Sequence, residues 1–135
     1  MKIVAATGCF DVLHYGHFKL LEFAAEHGRL LVGIDSDHSY RRWKKREPVH
    51  FEWQRAYNLS RVQAVSEVIV FDSCLQFLVV ARPQIWVKGA DYSLDTLNPA
   101  EVKVCRKYGI EILFVPHTGH SSSDIRRHAS YKFLA

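Results

Sequence analysis

Two histidines, His14 and His17, lie three residues apart with Gly16 between them, close to the start of the chain. The preceding segment 3–6 predicts a β-strand and the following segment 17–27 predicts a helix, so the pair falls at a strand-to-helix turn. A helix N-terminus presents unpaired backbone N–H groups and a partial positive charge, which together favour a bound anion. Imidazoles at this place can hydrogen-bond the same anion, so the pattern predicts a site for a polyphosphate.

Zinc is the alternative ligand for two histidines. A third and a fourth ligand are missing, because neither a cysteine nor a glutamate stands at motif spacing from the pair. The first turn also lacks a G-x-G-x-x-G fingerprint, and no Lys-Ser/Thr follows its glycines. We therefore expect no metal held by protein side chains, and we assign His14 and His17 to phosphate chemistry.

A basic segment, residues 41–46, carries five cationic side chains in six positions. Such a run is ordinarily a solvated face of the protein. This one follows the second predicted strand, 30–34, where it could fold over a triphosphate as a mobile lid. Lys44 and Arg46 are the candidates for contact with the ligand.

A serine-rich segment near the end of the chain is a second candidate phosphate site. It comprises Gly119, Ser121, Ser122 and Ser123, and it precedes a predicted last helix. Hydroxyl and N–H groups at a helix start bind anions for the same reason as the first turn. The structural alternative is a plain N-cap, which Ser122 or Ser123 would satisfy.

Strands and helices alternate along the whole chain. Strands are predicted at 3–6, 30–34, 67–71, 85–88 and 110–115, and helices at 17–27, 52–62, 74–81 and 99–108, with Gly28 as a C-cap. This alternation predicts an α/β fold, a Rossmann-like open parallel sheet of about five strands with helices on both faces. The polar and glycine-bearing loops follow strands one, two, four and five, so they share the carboxyl edge of the sheet, where a ligand crevice belongs.

The bulk composition fits one globular domain over residues 1–135, since 48% of the residues are apolar and 24% are charged. The net charge of +4 suits a polyanionic ligand, although nucleic acid would suit it too. Cys9, Cys74 and Cys105 are an odd number without metal-ligand spacing and predict reduced thiols in a cytoplasmic protein. No apolar run approaches the ~18 residues of a membrane span, so we expect no membrane association.

All fixed positions of the motif G-x-F-D-x-x-H-x-G-H are present in the first turn. They are Gly8, Phe10, Asp11, His14, Gly16 and His17. In this motif the chain resembles the cytidylyltransferase-like nucleotidyltransferases. The resemblance covers about residues 3–127 and implies the nucleotidyltransferase fold in a single domain, without an attached kinase domain.

The segment 86–92, Trp-Val-Lys-Gly-Ala-Asp-Tyr, narrows this resemblance. It is similar to the Val-Lys-Gly-Gly-Asp-Tyr element of the heptose 1-phosphate adenylyltransferases, and residues 101–102 and 109–111 fit the same subgroup. Glycerol-3-phosphate cytidylyltransferases typically carry Pro-Arg-Thr before the serine loop, where this chain has Pro116-His117-Thr118. The resemblance therefore implies ATP rather than CTP.

The resemblance also implies a role for individual residues. The catalytic residues would be His14, His17 and Lys44. The nucleotide would be bound by Thr7, Gly8, Cys9, Phe10, Gly16, Arg55, Lys88, Gly89, Gly119, Ser121, Ser122 and Ser123. The acceptor would be bound by Asp11, Asp37, Arg46 and Asp91. At Arg55 the context departs from the family, because Trp53 stands where an acidic residue is usual.

The implied reaction is attack of an acceptor phosphate oxygen on the α-phosphorus of a nucleoside triphosphate, with Mg²⁺ carried by the nucleotide and pyrophosphate leaving. The expected partners are thus a triphosphate, a small phosphorylated acceptor such as heptose 1-phosphate, and a second copy of the chain in a homodimer. Three alternatives stay open: a CTP-dependent cytidylyltransferase acting on glycerol 3-phosphate, a non-catalytic nucleotide-binding module, and a nucleic-acid binder that stacks bases on Trp43 and Trp53. We expect no nucleic-acid partner, since no recognition motif for one is present.

Overall fold

The computed structural model describes residues 1–116, which form five strands and five helices. The strands are β1 (Ile3–Gly8), β2 (Arg29–Asp35), β3 (Glu67–Phe71), β4 (Ile85–Lys88) and β5 (Glu111–Phe114). The helices are α1 (Tyr15–Ala25), α2 (Asp37–Lys44), α3 (Glu52–Ser60), α4 (Cys74–Ala81) and α5 (Pro99–Tyr108). None of the helices in this part of the chain is long and apolar enough to span a bilayer.

The five strands form one sheet in the order β3-β2-β1-β4-β5, and every neighbouring pair is parallel. The chain builds the sheet outward from β1 to β3 and then returns to the other side of β1 to add β4. In open α/β sheets a ligand crevice lies at such a switch point, which here falls between the carboxyl ends of β1 and β4. The predicted α/β open sheet of five parallel strands is confirmed.

Helices cover both faces of the sheet. Leu21 and Leu59, from α1 and α3, pack on one face against alternate residues of the central strands, such as Val4 and Val32. Leu78 of α4 and Cys105 of α5 pack on the other face around Trp86, which is fully buried. The central strands are apolar on both faces, as expected for a parallel sheet buried between helices.

One helix was not predicted. Ser36 caps the N-terminus of α2, with its hydroxyl accepting from the Ser39 N–H at 3.1 Å, and Asp37 supplies an acidic first turn. These are ordinary start signals, but the basic run that follows was interpreted as a loop. The structure corrects this point, because residues 41–44 form the last turn of α2 and only residues 45 and 46 follow it.

The prediction of Gly28 as the C-cap of the first helix was wrong. The helix ends earlier, with Glu26 at the cap position. Gly28 has φ +157, and a Cβ there would lie 2.3 Å from the carbonyl oxygen of Lys2. Glycine is required because the chain passes close to the start of β1, where the N–H of Arg29 donates to that same carbonyl at 2.9 Å.

Candidate active site

The two histidines of the first turn lie together at the start of α1. His14 is the N-cap, and its Nδ1 accepts a hydrogen bond from the backbone N–H of Gly16 at 3.1 Å. Its ring stacks on that of His17, with 3.8 Å between the ring centroids and 26° between the planes. Because Nδ1 accepts, the ring proton of neutral His14 is on Nε2, which leaves Nε2 as the donor to a ligand.

Gly16 allows this arrangement. A Cβ at this position would lie 3.0 Å from Cε1 and 3.2 Å from Nδ1 of His14, closer than ordinary van der Waals contact. A side chain at this position would require the His14 ring to shift by a few tenths of an ångström. The glycine therefore lets the His14 ring lie close to the backbone that it caps.

His17 is half-buried beside the ring of Phe10, with 5.1 Å between their centroids. Burial, and then the neighbouring His14, lower the pKa of His17 below its ordinary value, while the backbone of Val12 opposes the shift. Within residues 1–116, His17 Nδ1 is the only buried side-chain nitrogen or oxygen for which no group meets hydrogen-bond geometry. Because this nitrogen is buried, a ligand would have to reach the exposed part of the half-buried ring.

We expect tripolyphosphate to bind more tightly as the pH falls from about 8 to about 7, by up to ~10-fold per pH unit. His17 is neutral in the unliganded protein because its pKa is lowered. A bound polyanion favours imidazolium, so binding raises that pKa and takes up a proton. Binding takes up this proton between the pKa of His17 in the unliganded protein and its higher pKa in the complex. In that pH range, a lower pH favours the complex.

Isothermal titration calorimetry of tripolyphosphate across this pH range measures the slope. His17→Asn is the comparison, since it removes the titrating ring while the ligand's own titration remains. Equal slopes for the wild-type and variant proteins would show that His17 takes no proton on binding.

The turn between β1 and α1 has a fixed backbone. Phe10 has φ +48, in the left-handed region that is unusual for a bulky residue, and its buried ring folds back over Gly8. A Cβ on Gly8 would come 3.2 Å from that ring. The hydroxyl of Thr7, at the end of β1, accepts from the indole N–H of Trp86 at 3.0 Å and so ties β1 to β4.

Asp11, predicted to face the acceptor or a metal, accepts three hydrogen bonds from the protein. The donors are the backbone N–H groups of Val49 at 2.9 Å and His50 at 2.8 Å, and the Tyr40 hydroxyl at 3.1 Å. Burial alone would raise the pKa of Asp11, but these bonds outweigh it and the pKa lies below its ordinary value. The structure thus gives Asp11 the task of holding the segment before α3 against the first turn.

Arg55, predicted to contact phosphate, is fully buried. Its Nη1 donates to the carbonyls of Cys9 at 3.0 Å and Asp35 at 2.7 Å, and its Nε donates to the carbonyl of His50 at 3.0 Å. Its Nη2 forms an ion pair with Asp37 at 2.8 Å. Arg55 therefore links the carboxyl ends of β1 and β2. Its side chain has no exposed surface in this structure.

Asp37, predicted to bind the acceptor, is the carboxylate that this guanidinium holds, and its side chain is 16% exposed. Its backbone N–H donates to Glu52 at 3.0 Å, which links the start of α2 to the start of α3. Asp37 and Arg55 thus form a buried ion pair at the carboxyl ends of β1 and β2.

The basic segment divides into two parts. Arg41 donates from Nε to Glu47 at 2.9 Å, and Arg42 donates to the carbonyl of Asp72 at 3.0 Å, so both serve local structure. Arg46 lies over the ring of Tyr40, 5.7 Å from its centroid. The two candidate ligand contacts, Lys44 and Arg46, therefore lie at the C-terminus of α2 and just after it.

Lys44, the last residue of α2, lies near the first turn. Burial, and then Asp35, raise the pKa of the Cys9 thiol to about 11, and the ammonium group of Lys44 lies near enough to oppose that rise. The structure therefore brings Lys44 into the electrostatic environment of the turn that carries His14 and His17.

At the end of β4, the ammonium group of Lys88 lies 5.0 Å from the ring centroid of Trp86 and 4.3 Å from that of Tyr92. The backbone then turns sharply, with the N–H of Tyr92 donating to the carbonyl of Gly89 at 3.1 Å. A Cβ on Gly89 would come 2.9 Å from Oδ1 of Asp91, so the Asp91 carboxylate lies close to the backbone of Gly89. Lys88, Gly89 and Asp91 are thus brought together at the switch point.

The remaining predicted contacts, Gly119, Ser121, Ser122 and Ser123, lie outside the described residues. Among residues 1–116, no group of three or more histidine, cysteine, aspartate or glutamate side chains is arranged to hold a metal ion. Tyr40 was not predicted as a site residue, although its hydroxyl contacts Asp11 and its ring underlies Arg46 and Arg55. No sequence signal marks such a residue, because its role depends on contacts across 29 positions of the chain.

An open parallel sheet, with a helix start and two histidines at the switch point of its strands, is an arrangement in which α/β proteins bind nucleotides. Residues 5–128 match the family model described as cytidylyltransferase-like. The chain belongs to the cytidylyltransferase-like family.

Curated relatives share the name Bifunctional protein HldE. Over 93% of this chain, the sequence is 40% identical to the protein from Hyphomonas neptunium, and over 92% of this chain it is 38% identical to that from Geobacter sulfurreducens. Over 75% of this chain, it is 44% identical to the protein from Campylobacter jejuni. The chain covers 26%, 26% and 23% of these three relatives, about a quarter of their length.

A solved structure has the same fold. It is described as the lipopolysaccharide core biosynthesis protein from Thermoplasma volcanium GSS1, and it is 27% identical to this chain with a TM-score of 0.73. The match covers 87% of this chain and 98% of that one.

Proposed function

We propose that this chain is an adenylyltransferase that transfers AMP from ATP to a heptose 1-phosphate and releases pyrophosphate. The observation that carries the proposal is the stacked pair of His14 and His17 at the start of α1, at the switch point of the sheet. Membership of the cytidylyltransferase-like family supports the reaction class. The likeness to HldE proteins and the segment 86–92 support the choice of substrates.

In the proposed reaction, an oxygen of the sugar 1-phosphate attacks the α-phosphorus of ATP. The new oxygen–phosphorus bond forms as the bond from the α-phosphorus to the bridging oxygen breaks, and the electron pair leaves with pyrophosphate. The attacking phosphate is already anionic at neutral pH, so no base has to remove a proton. The protein therefore contributes alignment and neutralisation of the charge that develops on the α-phosphate and the leaving group.

His14 donates from Nε2, because its Nδ1 accepts from Gly16. His17 contacts the phosphates through the exposed part of its half-buried ring. Lys44, at the end of α2, supplies a point charge to the same phosphates. The fixed turn around Gly8 and Phe10 holds the N–H groups of the first turn in place before the substrate arrives, which is the property that transition-state stabilisation requires.

Mg²⁺ would enter with the triphosphate rather than at a protein carboxylate. In the first turn the only carboxylate is Asp11, and both of its oxygens already accept hydrogen bonds from the protein. When bound with the nucleotide, the ion would offset the negative charge of the phosphates. The histidines, the N–H groups of the turn and Lys44 would orient that complex.

We also propose a homodimer in the cytoplasm. Trp53 and Tyr57, one turn apart on α3, are 68% and 58% exposed, and large exposed aromatic side chains favour a protein interface. Cys9, Cys74 and Cys105 are all free thiols in the structure, which suits a reducing compartment.

A pyrophosphate-release assay tests the proposal. ATP, CTP, GTP and UTP with Mg²⁺ are each combined with heptose 1-phosphates, other sugar 1-phosphates and glycerol 3-phosphate. We expect release with ATP and a heptose 1-phosphate, in a stoichiometric ratio to a nucleotide-sugar product. Release only with CTP and glycerol 3-phosphate would replace the proposal with the cytidylyltransferase. Triphosphate binding without release from any pair would favour the non-catalytic module.

A further inference from the structure

The ammonium group of Lys88 lies against two aromatic rings at the carboxyl end of β4. It is 5.0 Å from the ring centroid of Trp86 and 4.3 Å from that of Tyr92. Within residues 1–116, no carboxylate forms an ion pair with it and no group accepts a hydrogen bond from it. In this part of the chain, the two rings are therefore the groups in direct contact with the Lys88 charge.

Trp86 is fixed in place by the fold. Its side chain is fully buried in the core below α4 and α5, and its indole N–H donates to the Thr7 hydroxyl at 3.0 Å. Thr7 belongs to β1, which pairs with β4 in the sheet. The Trp86 ring cannot turn without losing this hydrogen bond and its core packing. Its contact with Lys88 therefore puts the ammonium group at the switch point between β1 and β4.

Tyr92 approaches Lys88 from the turn that follows β4. The N–H of Tyr92 closes this turn by donating to the carbonyl of Gly89 at 3.1 Å, and Tyr92 is 44% exposed. Burial in the core therefore does not explain where its ring lies. The cation–π contact with Lys88 is an interaction that does explain it, since an ammonium group is attracted to the face of an aromatic ring.

The same turn runs beside α1, the helix that carries the histidine pair. A Cβ built on Gly89 would come 4.0 Å from Cδ1 of Leu20 in α1, which is ordinary van der Waals contact. Leu20 is three residues after His17, so the two lie on the same side of the helix, one turn apart. The Lys88 charge and the stacked histidines are therefore brought to one switch point, by β4 and by the start of α1.

Lysine needs such support if its charge is to act at one place. Its ammonium group is a compact charge on a flexible four-carbon stem. A cation that stabilises charge in a transition state is effective when it is oriented before the substrate binds. We infer that Tyr92 is a positioning residue, whose ring holds the Lys88 ammonium group at the switch point, where it offsets the charge of the nucleotide phosphates. This inference rests on the proposed function, in which Lys88 belongs to the nucleotide site.

Tyr92→Leu and Tyr92→Phe test the inference together, with thermal unfolding as the check that both variants fold. Leucine is apolar but has no ring face, so we expect kcat/KM for ATP to fall about 3- to 30-fold, the range for losing a cation–π contact. Phenylalanine keeps the ring, so its kcat/KM for ATP should stay within about twofold of wild type. KM for the sugar phosphate should stay within about twofold of wild type in both variants.

A double-mutant cycle with Lys88→Met shows whether Tyr92 acts through Lys88. Lys88→Met removes the charge and should lower kcat/KM for ATP by more than Tyr92→Leu does. Adding Tyr92→Leu to Lys88→Met should then change kcat/KM by less than about twofold, because there is no longer a cation for the ring to hold. A purely structural role for Tyr92 would give the same loss in both backgrounds and would overturn the inference.

Tyr108→Leu is the matched control. Tyr108 also has a cation over its ring, with the guanidinium of Arg82 4.0 Å from the centroid, but it ends α5 at the opposite edge of the sheet. Its kcat/KM for ATP should equal that of wild type. If Tyr92→Leu raised only KM for the sugar phosphate, Tyr92 would belong to the acceptor site. If Tyr92→Phe lost as much as Tyr92→Leu, the hydroxyl rather than the ring would act, and either result would overturn the inference.

Calorimetry with α,β-methylene ATP separates this inference from the proposed function. The analogue is not cleaved at the α-phosphorus, so its binding is measured without an acceptor. If wild type transfers AMP to no acceptor, but Tyr92→Leu weakens analogue binding and does so only when Lys88 is present, the proposed reaction fails and the role of Tyr92 stands. If wild type transfers AMP, and Tyr92→Leu binds the analogue and turns over as wild type does, the reaction stands and the role of Tyr92 fails.

Discussion

Replacing His17 with alanine is expected to lower kcat by at least about 100-fold, the effect of losing one donor to transition-state charge. The ring stacks on His14 at 3.8 Å and lies beside Phe10, so it is already oriented before a substrate binds. Its buried Nδ1 has no partner with hydrogen-bond geometry in the described part of the chain. Because the ring is held in place before a substrate binds, we expect the kinetic effect to exceed the effect on stability.

Pyrophosphate release at saturating substrates measures the effect, and thermal unfolding checks that the variant folds. His38→Ala is the matched control, since His38 is exposed on α2 and lies outside the first turn. His17→Asn should recover part of the rate, because an amide keeps a donor near the same place. A His17→Ala protein with nearly normal kcat would exclude this residue from the chemistry.

Arg55→Met is expected to reduce the free energy of unfolding by about 3–5 kcal/mol, the range for removing one partner of a buried ion pair. Arg55 is fully buried and donates to three carbonyls and to Asp37, with distances from 2.7 to 3.0 Å. Methionine fills similar space but donates nothing. The Asp37 carboxylate and the carbonyls of Cys9 and Asp35 would then lose their partner beneath the crevice.

Urea denaturation of the wild-type and variant proteins measures this loss. Arg61→Met is the control, because Arg61 is exposed at the end of the same helix and lies over the ring of Tyr57. Its stability should change by less than about 1 kcal/mol, as expected for a surface residue. If Arg55→Met kept wild-type stability and raised only KM for ATP, Arg55 would instead be a ligand of the triphosphate.

The alternation of strands and helices could be predicted because its signals are local. β3 at 67–71, α4 at 74–81 and β4 at 85–88 lie where the apolar runs and their flanking breakers predicted them. Parallel strands buried on both faces have continuous apolar sequences, and Asn98 and Pro99 mark the start of α5 by capping chemistry that acts over three residues. The first turn was predictable for the same reason, since its histidines, glycines and helix start are neighbours in sequence.

The partners of the charged residues could not be predicted from local sequence signals. Asp11, Asp37 and Arg55 resemble ligand contacts in sequence, but each is engaged by protein groups that lie between 18 and 46 positions away. A buried charge is stable only where its partners converge, and that convergence depends on how helices pack on the sheet. No local pattern contains that information.

The sequence by itself therefore determined the order of elements, the edge of the sheet at which they place their polar loops, and the turn at the start of α1 that carries the two histidines. Only the tertiary structure decided which charged side chains are engaged by other groups of the protein and which remain accessible. Arg55 and Asp37 form a buried ion pair with each other, while His17 keeps a half-exposed ring beside Phe10 in the first turn. The physical reason is that periodicity and capping act over a few residues, whereas burial and ion pairing join groups that only the folded chain brings together.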